Sequence, residues 1–192
     1  MKDRYKEILE GLNEDSTPKH VNDRILLIDG LNTFIRSFAV NPSTNEDGIH
    51  IGGMTGFLHS IGYAIRNIKP TRVIICFDGK GGSQRRRKLF PAYKDNRRVR
   101  KHLTRANTFS NIEDERISMG QQIRRLTEYL SCLPVTVLAT ENIEADDAMA
   151  YICQQVYTDS QCILMSIDKD FLQLVDDRVQ VWSPTKKKFY CG

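Results

Sequence analysis

Four apolar runs of strand length, each rich in β-branched residues, decide what this chain can fold into: Ile25 to Ile28, Val73 to Phe77, Val135 to Leu138 and Cys162 to Ile167. Apolar residues at consecutive positions, with no polar alternation, predict strands buried on both faces. Helical patterns fill the intervals: Met54 to Asn67, a long stretch carrying Met119, Ile123, Leu126 and Leu130 on one face, and Glu144 to Val156. Strand and helix alternate, so the expected class is α/β, with a mostly parallel central sheet and helices on both faces. A fifth short strand, Val179 to Trp182, precedes Ser183-Pro184 and the basic tail Lys186 to Lys188. At 192 residues one domain with a real core is the expectation. Residues 1–22 hold an amphipathic spacing (Tyr5, Ile8, Leu9, Leu12) and then the breaker run Asp15 to Pro18, which predicts an N-terminal extension before a core spanning 23–192.

Composition removes several classes. With 40% hydrophobic and 27% charged residues and a mean hydropathy of -0.42, the chain is expected to be soluble and globular rather than disordered or collagenous. No run reaches 18 apolar residues and the first eleven positions are charged throughout, so neither a membrane span nor a signal peptide is expected, and the cytoplasm is the predicted compartment. The five cysteines lack CxxC or Cys/His ligand spacing. They predict buried thiols in a reducing environment, with neither a disulfide framework nor structural zinc.

Three of the four buried runs end in an aspartate: Asp29, Asp78 and Asp168. In an open parallel sheet the C-terminal strand ends share one edge, where ligands bind. Glu144, Asp146 and Asp147 follow the remaining run after a short loop, and Asp170 lies two residues beyond Asp168. Acids in a first helical turn are also ordinary capping chemistry, so each residue alone has a structural reading. Seven like charges on one rim need cations. An oxygen-only donor set selects hard ions, and two Mg2+ or Mn2+ ions at such a rim suit phosphodiester hydrolysis.

The second asymmetry is positive. Between Lys80 and Arg105 stand eleven Lys/Arg against one acid, Asp95, a charge of +10 in a chain whose total is +4, which leaves -6 for the rest. The segment from about 79 to 110 is too polar for the core and is interrupted by Pro91, so it is expected to project as a basic arch. Its cations, Arg85, Arg86, Arg87, Lys88, Arg98, Arg100 and Lys101, are candidate contacts for a phosphodiester backbone, and Tyr93 or Phe90 for a base. A solvated charged surface is the bland alternative. The four histidines share no spacing and receive no role, and Gly52 to Gly56 is not a Walker A sequence.

Taken together these motifs resemble the flap endonuclease / 5'-3' exonuclease family, most closely its tailed-phage RNase H and phage 5'-exonuclease members. Leu27-Ile28-Asp29-Gly30 with Asn32 is similar to the family's first metal motif, and Gly53-Met54-Thr55 to its G-x-T helix. Phe77-Asp78-Gly79, then Arg87-Lys88 and Pro91-Ala92-Tyr93-Lys94-Asp95-Asn96-Arg97, resembles the second metal motif and the arch sequence. Ile143-Glu144-Ala145-Asp146-Asp147-Ala148 resembles the central acidic motif. Ser166-Ile167-Asp168-Lys169-Asp170-Phe171-Leu172-Gln173-Leu174 is similar to S-x-D-K-D-x-x-Q-L, and Gln180 to Pro184 to the phage RNase H branch.

The resemblance implies a PIN-like core that cleaves DNA or RNA near a 5' end or at a 5'-flap junction and removes primers in replication or repair. It implies that Asp29, Asp78, Glu144 and Asp146 hold a first metal and Asp147, Asp168 and Asp170 a second. Lys94 and Arg97 then lie over the scissile phosphate as catalytic cations, with Tyr93 near the 5' nucleotide. The implied partners are DNA, RNA-DNA primer junctions and replication proteins, for a monomer in the cytoplasm of a bacterial or phage-infected cell, without membrane contact. The family's later G-D-x-x-D motif and helix-hairpin-helix-type duplex-binding region have no counterpart before Gly192. A nucleic-acid-binding fragment with impaired catalysis and a PIN-type ribonuclease are the alternatives, and the sequence Pro91 to Arg97 speaks against the second.

Overall fold

The computed structural model describes residues 20–93, 102–105 and 109–191. The element order begins β1 (Arg24–Asp29), α1 (Gly30–Val40), α2 (Gly52–Ile68), β2 (Arg72–Asp78), α3 (Gln84–Leu89) and α4 (Ile112–Ser131). It continues with β3 (Thr136–Thr140), α5 (Ala145–Tyr151), a π-helical turn (Ile152–Val156), β4 (Gln161–Met165), a 3-10 turn (Lys169–Leu174), β5 (Val179–Ser183) and β6 (Lys188–Tyr190). The strands form one sheet in the order β3-β2-β1-β4-β5-β6, parallel except for the β5/β6 pair. The expected α/β class with helices on both faces is what the chain adopts.

The pleat explains why the strand sequences carry no polar alternation. On β1, Leu26 and Ile28 point into a cluster with Phe34, Phe38, Phe57, Ile61, Leu126 and Leu130 from α1, α2 and α4. Ile25 and Leu27 point the other way, toward Ala145, Met149 and Ile152 of α5 and the turn after it, and Phe171. Both faces are dry, so both sets must be apolar. Phe34, Phe38 and Phe57 are fully buried, each contributing roughly 1.5–3 kcal/mol by leaving water.

Three expectations need correction. The run Val135 to Leu138 is not a strand buried on both faces. β3 forms the sheet edge, pairs with β2 alone, and exposes most of its side chains; only Val135 and Leu138 reach the two clusters. Nor are all cysteines buried: Cys76, Cys153 and Cys162 are, whereas Cys132 and Cys191 are exposed. The helix expected over Glu144 to Val156 is α-helical to Tyr151 and then widens into the π-helical turn. The segment expected to be the arch begins with α3; its residues 94–101 and 106–108, like residues 1–19 of the expected extension, lie outside the described residues. No described helix is long and apolar enough to cross a membrane.

Candidate active site

The chain winds from β1 to β2 and β3 on one side, and β4 and β5 fall on the other. The β1/β4 boundary is therefore the switch point at which an open parallel sheet leaves a crevice beyond its C-terminal strand ends. Asp29 closes β1 there. Its Oδ1 accepts the Asn32 N–H at 3.0 Å and so caps α1, while its Oδ2 lies 3.4 Å from the Ser166 hydroxyl just beyond β4. Asp78 closes β2, and its Oδ1 accepts the Ala145 N–H at 2.8 Å, tying the start of α5 to the sheet rim. Asp168 Oδ1 accepts the Asp170 N–H at 3.1 Å at the head of the 3-10 turn. Each carboxylate thus has one oxygen held by a main-chain N–H, local for Asp29 and Asp168 and across the fold for Asp78.

Six of the seven predicted acids, Asp29, Asp78, Glu144, Asp146, Asp168 and Asp170, line one cleft of about 810 Å³. Asp147 departs from them, lining a neighbouring, more apolar cavity of about 720 Å³ with Leu138, Ile143 and Tyr151. It still belongs to the local group: one oxygen from each of Glu144, Asp146 and Asp147 lies within 4.8 Å of the others. Burial pushes the Asp29 carboxyl up to about 6, with Asp78 and Asp146 adding repulsion. Burial is the larger cause and repulsion between the acids the smaller, so the protein alone disfavours the ionised form of Asp29. The donors are all oxygens, which fits a hard divalent ion and neither zinc-thiolate nor zinc-histidine chemistry. Burial, with Asp29 beside it, also pushes the Cys76 thiol up to about 12, so no thiolate nucleophile stands at the rim.

The predicted basic residues separate. Arg86, expected to face a phosphate backbone, is instead committed to the acids. Its Nη1 pairs with Glu144 and lies 3.1 Å from Asp146 Oδ2, and its Nη2 lies 2.5 Å from Asp147 Oδ1. Tyr93, expected near a base, donates its hydroxyl to Glu144 Oε2 at 2.9 Å and accepts from Arg86 Nη1 at 2.8 Å, with the guanidinium 5.6 Å from its ring centroid. The reason is burial. Glu144 is 2% exposed, and a carboxylate that dry needs charged or polar partners. Arg87 and Lys88 are exposed on α3. Lys94, Arg97, Arg98, Arg100 and Lys101 lie outside the described residues, as does the side chain of Arg85.

Two further cations line the cleft, Arg36 and Arg105. Arg36 stands seven residues after Asp29 on the helix that Asp29 caps, two turns along the same face. That spacing was the available signal. Its Nη2 lies 3.2 Å from the Ser60 hydroxyl, and burial pushes its guanidinium below the ordinary value. Arg105 belongs to the basic window without a motif to single it out.

Residues 24–191 match the family described as 5'-3' exonuclease, N-terminal resolvase-like domain. The chain is 29% identical over 160 residues to a 5'-3' exonuclease of Mycobacterium tuberculosis, covering 82% of this chain and 49% of that protein. It is 26% identical over 168 residues to flap endonuclease Xni of Psychromonas ingrahamii, covering 86% and 58%. Among solved structures, the T5 D15 flap endonuclease in a complex with DNA and metal ions superposes with a TM-score of 0.66 at 20% identity, over 88% of this chain and 57% of that one. The chain spans about half the length of the curated exonuclease it matches.

Proposed function

The chain belongs to the family of 5'-3' exonuclease N-terminal, resolvase-like domains, and from that premise we propose that it is a divalent-metal-dependent nuclease hydrolysing phosphodiester bonds in DNA and RNA primers at 5' ends or 5'-flap junctions, in replication or repair. The observation that carries this reading is the convergence on one cleft of six carboxylates from the ends of β1 and β2 and from the segments that follow β3 and β4. In this reading Asp29, Asp78, Glu144 and Asp146 hold one Mg2+ or Mn2+, and Asp147, Asp168 and Asp170 a second. Such ions, when bound, lower the pKa of a coordinated water and offset charge on the leaving oxygen.

The chain's own residues do the rest. Asp29 and Asp78 keep fixed orientations because each is tied by a main-chain N–H. Arg36 and Arg105 offer positive charge at the cleft wall for backbone phosphates. Tyr93 fixes Glu144. Lys94 and Arg97 stand one and four positions after it in the sequence and are proposed to stabilise charge developing on the scissile phosphate.

A 5'-flap oligonucleotide with Mg2+ or Mn2+ tests the proposal. The expected result is release of a 5' fragment, suppressed by EDTA and absent from Asp168→Ala and Asp146→Ala proteins that still unfold cooperatively. Cleavage that survives either substitution sinks the assignment. Salt-sensitive binding without turnover at any metal concentration leaves the nucleic-acid-binding alternative standing instead.

A further inference from the structure

Besides Glu144, the described residues include one other buried carboxylate, Glu115, only 2% exposed in the first turn of α4 and outside the acid rim. Its partners lie upstream in the chain. Oε1 accepts the Leu103 N–H at 2.9 Å and the Thr104 N–H at 2.7 Å; Oε2 accepts the Leu103 N–H at 3.1 Å and faces His102 Nδ1 at 3.3 Å. Hydrogen bonds to an ionised acceptor are the strong ones, and a buried acceptor is costly to remove. Glu115 therefore docks the stretch 102–104 on α4. The next residue is docked on another element, since the Arg105 N–H donates to the Ala39 carbonyl at 2.9 Å at the end of α1.

Two anchors on successive residues leave this stretch little freedom, and both Leu103 and Arg105 line the cleft that holds the six carboxylates. The Arg105 side chain is exposed there, and no described carboxylate is ion-paired with it. An exposed cation fixed at the wall of a nucleic-acid cleft suits an anion carried in by the ligand. We propose that Glu115 is a positioning residue which, by seating residues 102–104 on α4, holds the Arg105 guanidinium at the cleft wall to take a backbone phosphate of the bound strand. The proposal rests on the nuclease reading above, which already turns Arg105 toward backbone phosphates, and adds to it the residue that places that side chain.

Fluorescence anisotropy with a labelled 5'-flap oligonucleotide, in Ca2+ to hold back hydrolysis and across a salt series, tests it. Arg105→Ala weakens binding about fivefold and lowers the slope of log K against log salt by about 0.7–0.9, the loss of one phosphate contact. Glu115→Ala reproduces both changes, and the double variant binds no more weakly than Arg105→Ala, within a factor of about two. Glu115→Gln retains an oxygen at Oε1 for the Leu103 and Thr104 N–H groups and binds like the wild type. A folded Glu115→Ala protein with unchanged binding, or losses that add in full, overturns the proposal. So does an unchanged salt slope for Arg105→Ala, which replaces an exposed side chain and decides the matter even where Glu115→Ala does not fold. Wild-type protein that shows no salt-dependent binding sinks the nuclease reading as well; intact wild-type binding with unaffected variants removes the Arg105 contact and the role of Glu115 and leaves that reading standing.

Discussion

Replacing Asp29 by Asn should make the metal-free protein more stable at neutral pH, although it removes a proposed metal ligand. Burial, and then the neighbouring Asp78 and Asp146, push this carboxyl from 3.8 to about 6. A raised carboxyl favours the native state only when protonated. Below the unfolded value both states carry the proton and nothing is lost; the penalty grows as pH rises from 3.8 to about 6 and is complete above that. Converted at 1.36 kcal/mol per pKa unit, it is roughly 3 kcal/mol at pH 7. Asn keeps an oxygen to accept the Asn32 N–H that caps α1, so the helix start survives while the charge goes. For a chain of this size roughly 3 kcal/mol corresponds to about 6–12 °C in Tm. Thermal unfolding followed by circular dichroism in EDTA, from pH 4 to 7.5, is the assay. The Asn variant should melt higher at pH 7.5, with the two curves converging toward pH 4. Mg2+ should narrow the gap by stabilising the wild type more, through binding to the native state. A variant less stable than wild type at pH 7.5, or an offset independent of pH, refutes the reasoning that a buried, ionised Asp29 costs the native state stability.

Arg86→Ala should lower the Tm in EDTA, because Glu144 loses a guanidinium partner in a nearly dry site, at a cost of about 1–3 kcal/mol. Millimolar Mg2+ should recover part of that loss, and calorimetry should show the variant binding metal at least as tightly as wild type; weaker binding contradicts competition between guanidinium and ion. Gly52→Ala places a Cβ 1.9 Å from the Asn41 carbonyl oxygen, backbone that cannot step aside. A loss of about 3 kcal/mol or more in chemical denaturation is expected, and a near-neutral result shows that the approach of α1 to α2 is looser than described.

The strands were legible because a parallel strand covered on both faces has no polar side to disguise it: the four apolar residues Ile25 to Ile28 feed two different cores. The rim was legible for a related reason. Parallel strands point their C-terminal ends the same way, so a carboxylate after each run lands on one edge whatever the helices do. β3 was misjudged because a run of Val and Leu suits an edge strand as well as a central one, and only the strand order tells them apart. Residue type likewise could not separate Cys132 from Cys162: the first caps the end of α4 and is exposed, whereas the second lies within β4 and is buried.

Side-chain pairing across the fold was not legible, and Arg86 shows why. Arg86 and Arg87 are chemically identical, and successive helical residues turn by about 100°, so one meets the acids while the other is exposed. The orientation of a six-residue helix decides which. The consequence bears on the whole charge pattern. A +10 segment beside a -6 remainder reads in the sequence as two surfaces awaiting two ligands, cations for one and phosphate for the other. In the folded chain they already meet, with the Arg86 guanidinium among Glu144, Asp146 and Asp147. Metal bound at those three acids must displace a cation rather than enter an open negative field, and the freed guanidinium then lies beside the cleft that nucleic acid is proposed to enter. In the proposed function, ion and polyanion binding would thereby be coupled through Arg86, each releasing the partner the other needs.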